Sequence, residues 1–258
     1  MQSLLDYTVE RISQQNVLHS KKIAKTLKKL DGAYTERANL FLEKYHVILE
    51  KENSNLDYAV DCYLKMIADI NYETIKFAET NEYSSKSFEE VNGRVYNNPS
   101  VMEYYMHGLL LSQFLWKHHY DILLFFNKII GQNRSGIKQY LEVGGGHGLY
   151  ISEAISLIGK DATYDLVDIS ASSLDMARKL VNNDQVSYFL SDIFKYHPGK
   201  KYDFITMGEV LEHVEDPVSL LLALKELLND NGKIFITTPT NAPTIDHIYL
   251  FRNIGDIK

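Results

Sequence analysis

The sequence predicts an α/β protein, a doubly wound and mostly parallel sheet preceded by an all-helical domain. Three observations carry that expectation. Residues 1–130 contain only Pro99 and Gly32, Gly93 and Gly108, whereas the rest of the chain holds the other four prolines and eleven glycines. Both residues interrupt helices, so the punctuation separates a helical first half from a turn-rich second half. The second half then alternates short Val/Ile/Phe/Tyr runs with amphipathic stretches, the pattern of a parallel sheet with crossover helices. Finally, four glycines within five residues, at 144, 145, 146 and 148, stand between one such run and the stretch after it.

Apolar residues at three- and four-residue spacing predict helices over Leu4–Leu30, Gly32–Glu50, Leu56–Glu79 and Val101–Ile130,. Asp31 and Asn55 stand where N-caps are expected. The last segment is apolar on most sides and is expected to be buried as the connecting element between the two halves. The second half reads as strand Gln139–Val143, helix Leu149–Ile158, strand Thr163–Val167, helix Ser172–Val181, strand Val186–Leu190, strand Tyr202–Met207, helix Pro217–Leu228 and strand Lys233–Thr237,. A domain boundary is therefore expected between a helical lid or dimerisation domain, 1–131, and a sheet domain, 132–258.

Composition narrows the function. The chain has 258 residues, 45% hydrophobic and 24% charged, enough to build a buried core,. A formal net charge of −7 argues against a general polyanion binder, so nucleic acid is not an expected partner,. Cys62 is the single cysteine, which excludes an intramolecular disulfide framework and any cysteine-rich zinc site,. No stretch reaches the roughly 18 apolar residues of a membrane span, and the start carries Asp6 and Glu10 where a leader would be apolar. A cytoplasmic location is the resulting expectation.

The run Glu142-Val143-Gly144-Gly145-Gly146-His147-Gly148 follows a predicted strand and opens a predicted helix. Glycine permits positive φ there and lets a ligand approach the backbone at the strand's carboxyl end. A nucleotide-like ligand is expected, and Leu149 stands where a dinucleotide G-x-G-x-x-G would have its last glycine. Asp168 ends the next strand, where a carboxylate can accept both ribose hydroxyls or simply cap the strand end; Asp192 follows the third strand with the same two readings.

On these residues, with Ser170–Arg178 and the Tyr-Asp-Phe-Ile strand at 202–205, residues 139–240 resemble the core of a class I S-adenosylmethionine-dependent methyltransferase. The resemblance implies a Rossmann-like methyltransferase sheet with S-adenosylmethionine as cofactor. It implies that Glu142, Gly144 and Gly146 surround the methionine moiety, that Asp168 binds the ribose, and that Asp192 receives the adenine amino group while Ile169 and Ile193 pack on the ring. The family fold continues after its fifth strand into an antiparallel hairpin, so the expectation for these 258 residues is either that the C-terminal strands are missing or that the sheet is finished differently.

After the fourth strand comes Glu209-Val210-Leu211-Glu212-His213. On a helical turn Glu209, Glu212 and His213 fall at i, i+3 and i+4 and share one face, with Asp216-Pro217 capping the helix that follows. The trio reads as acidic residues at a helix start with His213 as a general base, or as a divalent metal site completed by His247. The arrangement resembles two metal-using groups of methyltransferases, the ubiquinone-pathway O-methyltransferases and the enzymes that methylate small-RNA 3′ ends. Carboxylate and imidazole donors suit magnesium, manganese, iron or zinc.

The expected function is methyl transfer from S-adenosylmethionine to a small molecule, with a hydroxyl as acceptor, metal assistance and Glu209 and His213 as catalytic groups. The alternatives are metal-free N-, C- or O-methylation with His213 as base, a non-catalytic cofactor-binding scaffold, and RNA 3′-end methylation. Tyr96, Tyr104, Tyr105 and His107 read as pocket aromatics or as core residues. Lys21, Lys22, Lys25, Lys28 and Lys29 read as a solvated stripe. A homodimer through the helical domain is also expected.

Overall fold

A computed structural model describes residues 2–257. Contacts divide the chain into two compact units, one of Met1–Ile67 with Glu103–Phe125 and the other of Ala68–Met102 with Phe126–Lys258. This partition differs from the boundary expected at 131/132, because residues 68–102 and 126–131 group with the sheet.

The first unit is helical, and its capping explains where the predicted helices break. Ser3 caps α1, Leu4–Gln15, by accepting from the Asp6 amide at 3.1 Å. Asn16 then closes α1 through its own amide and caps α2, Val17–Leu27, by accepting from His19 N at 3.0 Å. The single helix expected over 4–30 is thus two helices, because one asparagine serves both ends. Asp31 caps α3, Gly32–Lys51, and Asn55 accepts from Tyr58 N at the start of α4, Leu56–Thr80. The segment expected as one helix over 101–130 divides at Trp116 into α6, Pro99–Leu115, and α7, Lys117–Asn133. The Trp116 indole donates to the Tyr63 hydroxyl at 2.8 Å. Between α4 and α6 lie the short α5, Phe88–Val91, and a π-helical turn, Asn92–Tyr96.

In the second unit five parallel strands form one sheet in the order β3-β2-β1-β4-β5. They are β1 Gln139–Val143, β2 Thr163–Asp168, β3 Val186–Leu190, β4 Tyr202–Gly208 and β5 Leu228–Thr237. Strand order reverses between β1 and β4, and an open α/β sheet has its ligand crevice at the carboxyl end of such a pair. Helices α8 Leu149–Ile158, α9 Ala171–Val181 and α10 Pro217–Glu226 make the crossovers. β1 is buried along most of its length, as expected of a strand covered on both faces,. Leu141, Val143, Val167, Ile205, Met207, Leu220, Leu224 and Phe251 belong to one apolar cluster of this sheet unit.

The largest boundary shift in the sheet unit is at β5. β5 begins at Leu228, which the sequence reading assigns to the end of the preceding helix, and its register against β4 shifts between Tyr202 and Phe204. Beyond β5, residues 238–257 add no strand among the described residues, yet Phe251 joins the core. No described helix is long and apolar enough to cross a membrane.

Candidate active site

The glycine turn is built at the crevice. Gly144, Gly146 and Gly148 have φ of 63°, 50° and 75°, in the region that side chains disfavour,. At Gly144 a Cβ would lie 2.5 Å from Val210 Cγ2, so the turn also sits tight against the segment after β4. Asp168 fixes the turn from β2: one carboxylate oxygen accepts from Gly146 N at 3.0 Å and the other from Ser170 N at 2.8 Å. Burial pushes the Asp168 carboxyl up to about 6, although those amides work against the shift,. Glu142, at the end of β1, is pushed up to about 8, again by burial, and its Oε2 has no hydrogen-bond partner.

A cleft of about 250 Å³ opens at the ends of β2 and β3. Ile169, Leu190, Ser191, Asp192 and Lys195 line one part of it, and Phe88, Asn92 and Asn97 the other. Asp192 also accepts from Phe194 N at 3.0 Å. Ile169 and Asp192 are therefore on a cleft. Ile193 is not among its lining residues and instead packs on the apolar cluster of the sheet.

The segment after β4 departs from the expected helical turn. Glu209 has φ 54° and donates its amide to the Thr237 carbonyl at 2.9 Å, which ends β4 against β5. Only Leu211–His213 form a turn, a 3-10 one, and Asp216 caps α10 by accepting from the amides of Val218 and Ser219. Glu209 therefore does not share a helical face with Glu212 and His213. His247 joins those two from the chain beyond β5: one ligand atom each of Glu212, His213 and His247 lie within 4.8 Å of one another.

Glu212 is the centre of this group. Its side chain is fully buried, Oε2 accepts from the Thr238 hydroxyl at 2.9 Å, and Oε1 has no hydrogen-bond partner. That oxygen faces His213 Nε2 at 3.6 Å and His247 Nε2 at 3.8 Å. Burial pushes the Glu212 carboxyl up to about 8, with the neighbouring Glu209 charge adding to the rise and His213 opposing it,. Burial pulls His247 down to about 3, with His213 acting the same way. For His213 burial also acts downward, but the Asp246 and Glu212 carboxylates outweigh it and raise its pKa above the ordinary value. Glu209 is raised by burial and eased by the Thr237 hydroxyl.

Other residues hold this group in place. The amides of Ile248 and Tyr249 both donate to the Glu212 carbonyl, at 2.8 and 2.9 Å, fixing the His247 segment to the turn. The Tyr83 ring packs edge-on to His247 with centroids 5.5 Å apart. Tyr96 places its hydroxyl 2.9 Å from His213 Nδ1, while Tyr104 and Tyr105 are buried in the first unit and His107 pairs with Tyr45 there. The sequence offered only an aromatic group for Tyr96; Thr238 and Tyr83 gave no signal. His147 is buried and accepts from Leu149 N through Nδ1, a structural role. The lysine stripe is exposed at Lys21, Lys22, Lys25, Lys28 and Lys29.

Residues 115–256, more than half of the chain, match a family described as a methyltransferase domain. The chain belongs to this family. The methyltransferase domain is similar to the ubiquinone biosynthesis O-methyltransferase of Actinobacillus pleuropneumoniae serotype 5b (strain L20), 34% identical over 120 residues that cover 42% of this chain and 50% of that protein. It is also similar to malonyl-(acyl-carrier protein) O-methyltransferase 1 of Ilyobacter polytropus, 35% identical over 104 residues, 39% of this chain and 38% of that protein. The chain thus spans half the length or less of these curated relatives. Among solved structures, an O-methyltransferase family protein from Burkholderia thailandensis superposes with a TM-score of 0.52 at 12% identity, over 72% of this chain and 55% of that chain. That likeness concerns the fold alone. The methyltransferase domain includes every cofactor and metal residue expected from the sequence, whereas Tyr83 and Tyr96 precede it.

Proposed function

We propose that the chain transfers a methyl group from S-adenosylmethionine to the hydroxyl of a small molecule, with a divalent cation held by Glu212, His213 and His247. The observation that carries this reading is the orphaned, buried Glu212 Oε1 facing two imidazole Nε2 atoms. A buried carboxylate oxygen without a donor is costly unless something positive meets it. One carboxylate and two imidazoles form a donor set that fits zinc, iron, manganese or magnesium. A cation bound there lowers the pKa of an acceptor hydroxyl and fixes its oxygen.

The chain's own residues supply the rest. Asp168 and Asp192 hold the ribose and adenine ends of the cofactor, and Glu142 with the glycine turn holds the methionine end. Methyl transfer from a sulfonium needs mainly alignment and exclusion of water, because the leaving group departs neutral. The acceptor oxygen forms a bond to the methyl carbon as the carbon–sulfur bond breaks, and that electron pair goes onto sulfur. Glu209, outside the three-ligand group but half-buried beside it, receives the hydroxyl proton.

The pairing of His213 with Asp246 favours a second reading, in which His213 is the base and no metal is needed,. The two are separated by measuring S-adenosylhomocysteine formation with phenols, aliphatic alcohols and amines, each with added divalent ions and with a chelator. Turnover of a hydroxyl compound that the chelator abolishes is the expected result. Chelator-resistant turnover, lost in His213→Ala, establishes the second reading, and cofactor binding without any turnover establishes a scaffold. Asp168→Ala is expected to weaken S-adenosylhomocysteine at least ~10-fold, since a hydrogen-bonded charge is removed; unchanged affinity contradicts the cofactor placement.

A further inference from the structure

We propose that Tyr96 is a positioning residue that sets the orientation of His213, so that the geometry of the catalytic group is fixed from outside the matched methyltransferase domain. As a metal-positioning device it rests on the metal reading above. As a device acting on His213 it stands by itself.

His213 Nδ1 lies 3.0 Å from the Asp246 backbone carbonyl and 2.9 Å from the Tyr96 hydroxyl. A carbonyl only accepts, so in the neutral ring Nδ1 carries the hydrogen. The Tyr96 oxygen shares that hydrogen, and its own O–H donates to Asp246 Oδ2 at 3.4 Å. Thr244 donates to the other carboxylate oxygen at 2.8 Å, which holds Asp246 for this contact. With Nδ1 committed, the Nε2 lone pair is left toward the orphaned Glu212 Oε1. A ligating imidazole is ordinarily oriented in this way by the partner of its other nitrogen.

The segment that carries Tyr96 is built for placement. Asn92–Tyr96 form a π-helical turn closed by Asn97 N donating to the Asn92 carbonyl at 2.8 Å. Such turns re-aim side chains by one extra residue per turn and recur at functional sites. Asn92 and Asn97 line the cleft, while Tyr96 reaches His213. The same stretch clamps the chain that bears Asp246 and His247: Ser85 Oγ and Arg94 Nη2 both donate to the Ile245 carbonyl, and the Tyr83 hydroxyl accepts from Ala242 N at 3.1 Å.

The test compares the protein with Tyr96→Phe, which keeps the ring beside Phe88 and removes only the hydroxyl. Long-range proton–nitrogen NMR of His213, in metal-free protein at a pH where the ring is neutral, is expected to show the Nδ1–H tautomer in both proteins, because the Asp246 carbonyl remains, with the ring resonances shifted in the variant as the imidazole turns. Zinc titration by calorimetry is expected to show affinity weakened ~10–100-fold, with S-adenosylhomocysteine affinity changed less than about twofold. Identical His213 ring resonances and identical zinc affinity in both proteins overturn the proposal. A parent that binds no zinc, yet whose His213 ring resonances shift in Tyr96→Phe, overturns the metal reading and keeps Tyr96 as the residue that positions His213 as a base.

Discussion

Glu209 concentrates the local strain of the site. A non-glycine residue in the left-handed region costs roughly 1–2 kcal/mol, and Glu209 sits there half-buried. Glycine at this position relieves the backbone and removes a poorly solvated acid. Glu209→Gly is therefore expected to raise the melting temperature while lowering turnover by about 100-fold or more, in the range of a lost acid–base group. A variant that melts earlier contradicts the strain account. The residue types of the site were legible, because Glu212, His213 and His247 carry metal-ligand chemistry in their side chains. Their geometry was not: the expected helical face assumed a regular turn that Glu209 breaks by entering the left-handed region. Tyr96 was anticipated only as an aromatic, since its contact with His213 spans 117 residues and no local pattern encodes it.

At the scale of elements, the glycine turn and the segment after β4 act as one construction. Gly144 leaves room for Val210, which sits between the strained Glu209 and the 3-10 turn bearing Glu212 and His213. Gly144→Ala puts a Cβ on positive φ and into that valine at once. The expected outcome is S-adenosylhomocysteine affinity weakened ~10-fold or more and a loss of stability of about 2 kcal/mol from backbone strain and overpacking; near-parental binding and stability show that the turn is slack. The strands were legible because β1, β2 and β4 are buried runs of apolar residues between turn signals. The helix breaks at Asn16 and Trp116 were not, because the apolar spacing continues through both positions and only the Asn16 cap and the Trp116 bond to Tyr63 mark them. The π-helical turn was equally hidden, as nothing in its residue types separates it from an α-helix.

For the whole molecule, the two halves of the chain were visible in the distribution of glycine and proline, but the compact units were not. Residues 68–102 look helical like their neighbours, and only long-range contacts, such as Arg94 and Ser85 with Ile245, join them to the sheet. Stability over pH follows from burial in the same unit. His147 is pulled from 6.5 down to about 4 by burial. Between those values the unfolded chain binds a proton that the folded one does not, so this contribution is lost as pH falls through that window, about 3 kcal/mol in full. Glu142 and Asp168, raised by burial, act in the opposite sense. The difference between the parent and His147→Asn, which retains an acceptor for Leu149 N, isolates the histidine. The parent's advantage is expected to shrink from pH 7 to pH 4.5; a constant difference contradicts the assignment.

The central claim is that Glu212, His213 and His247 form a cation site, and metal content measures it most directly. Elemental mass spectrometry of the purified protein, compared with a Glu212→Ala, His213→Ala double variant, is expected to find near-stoichiometric divalent metal in the parent and none in the variant. Absence of metal from both, after incubation with magnesium, manganese, iron and zinc, contradicts the claim and leaves His213 as the base.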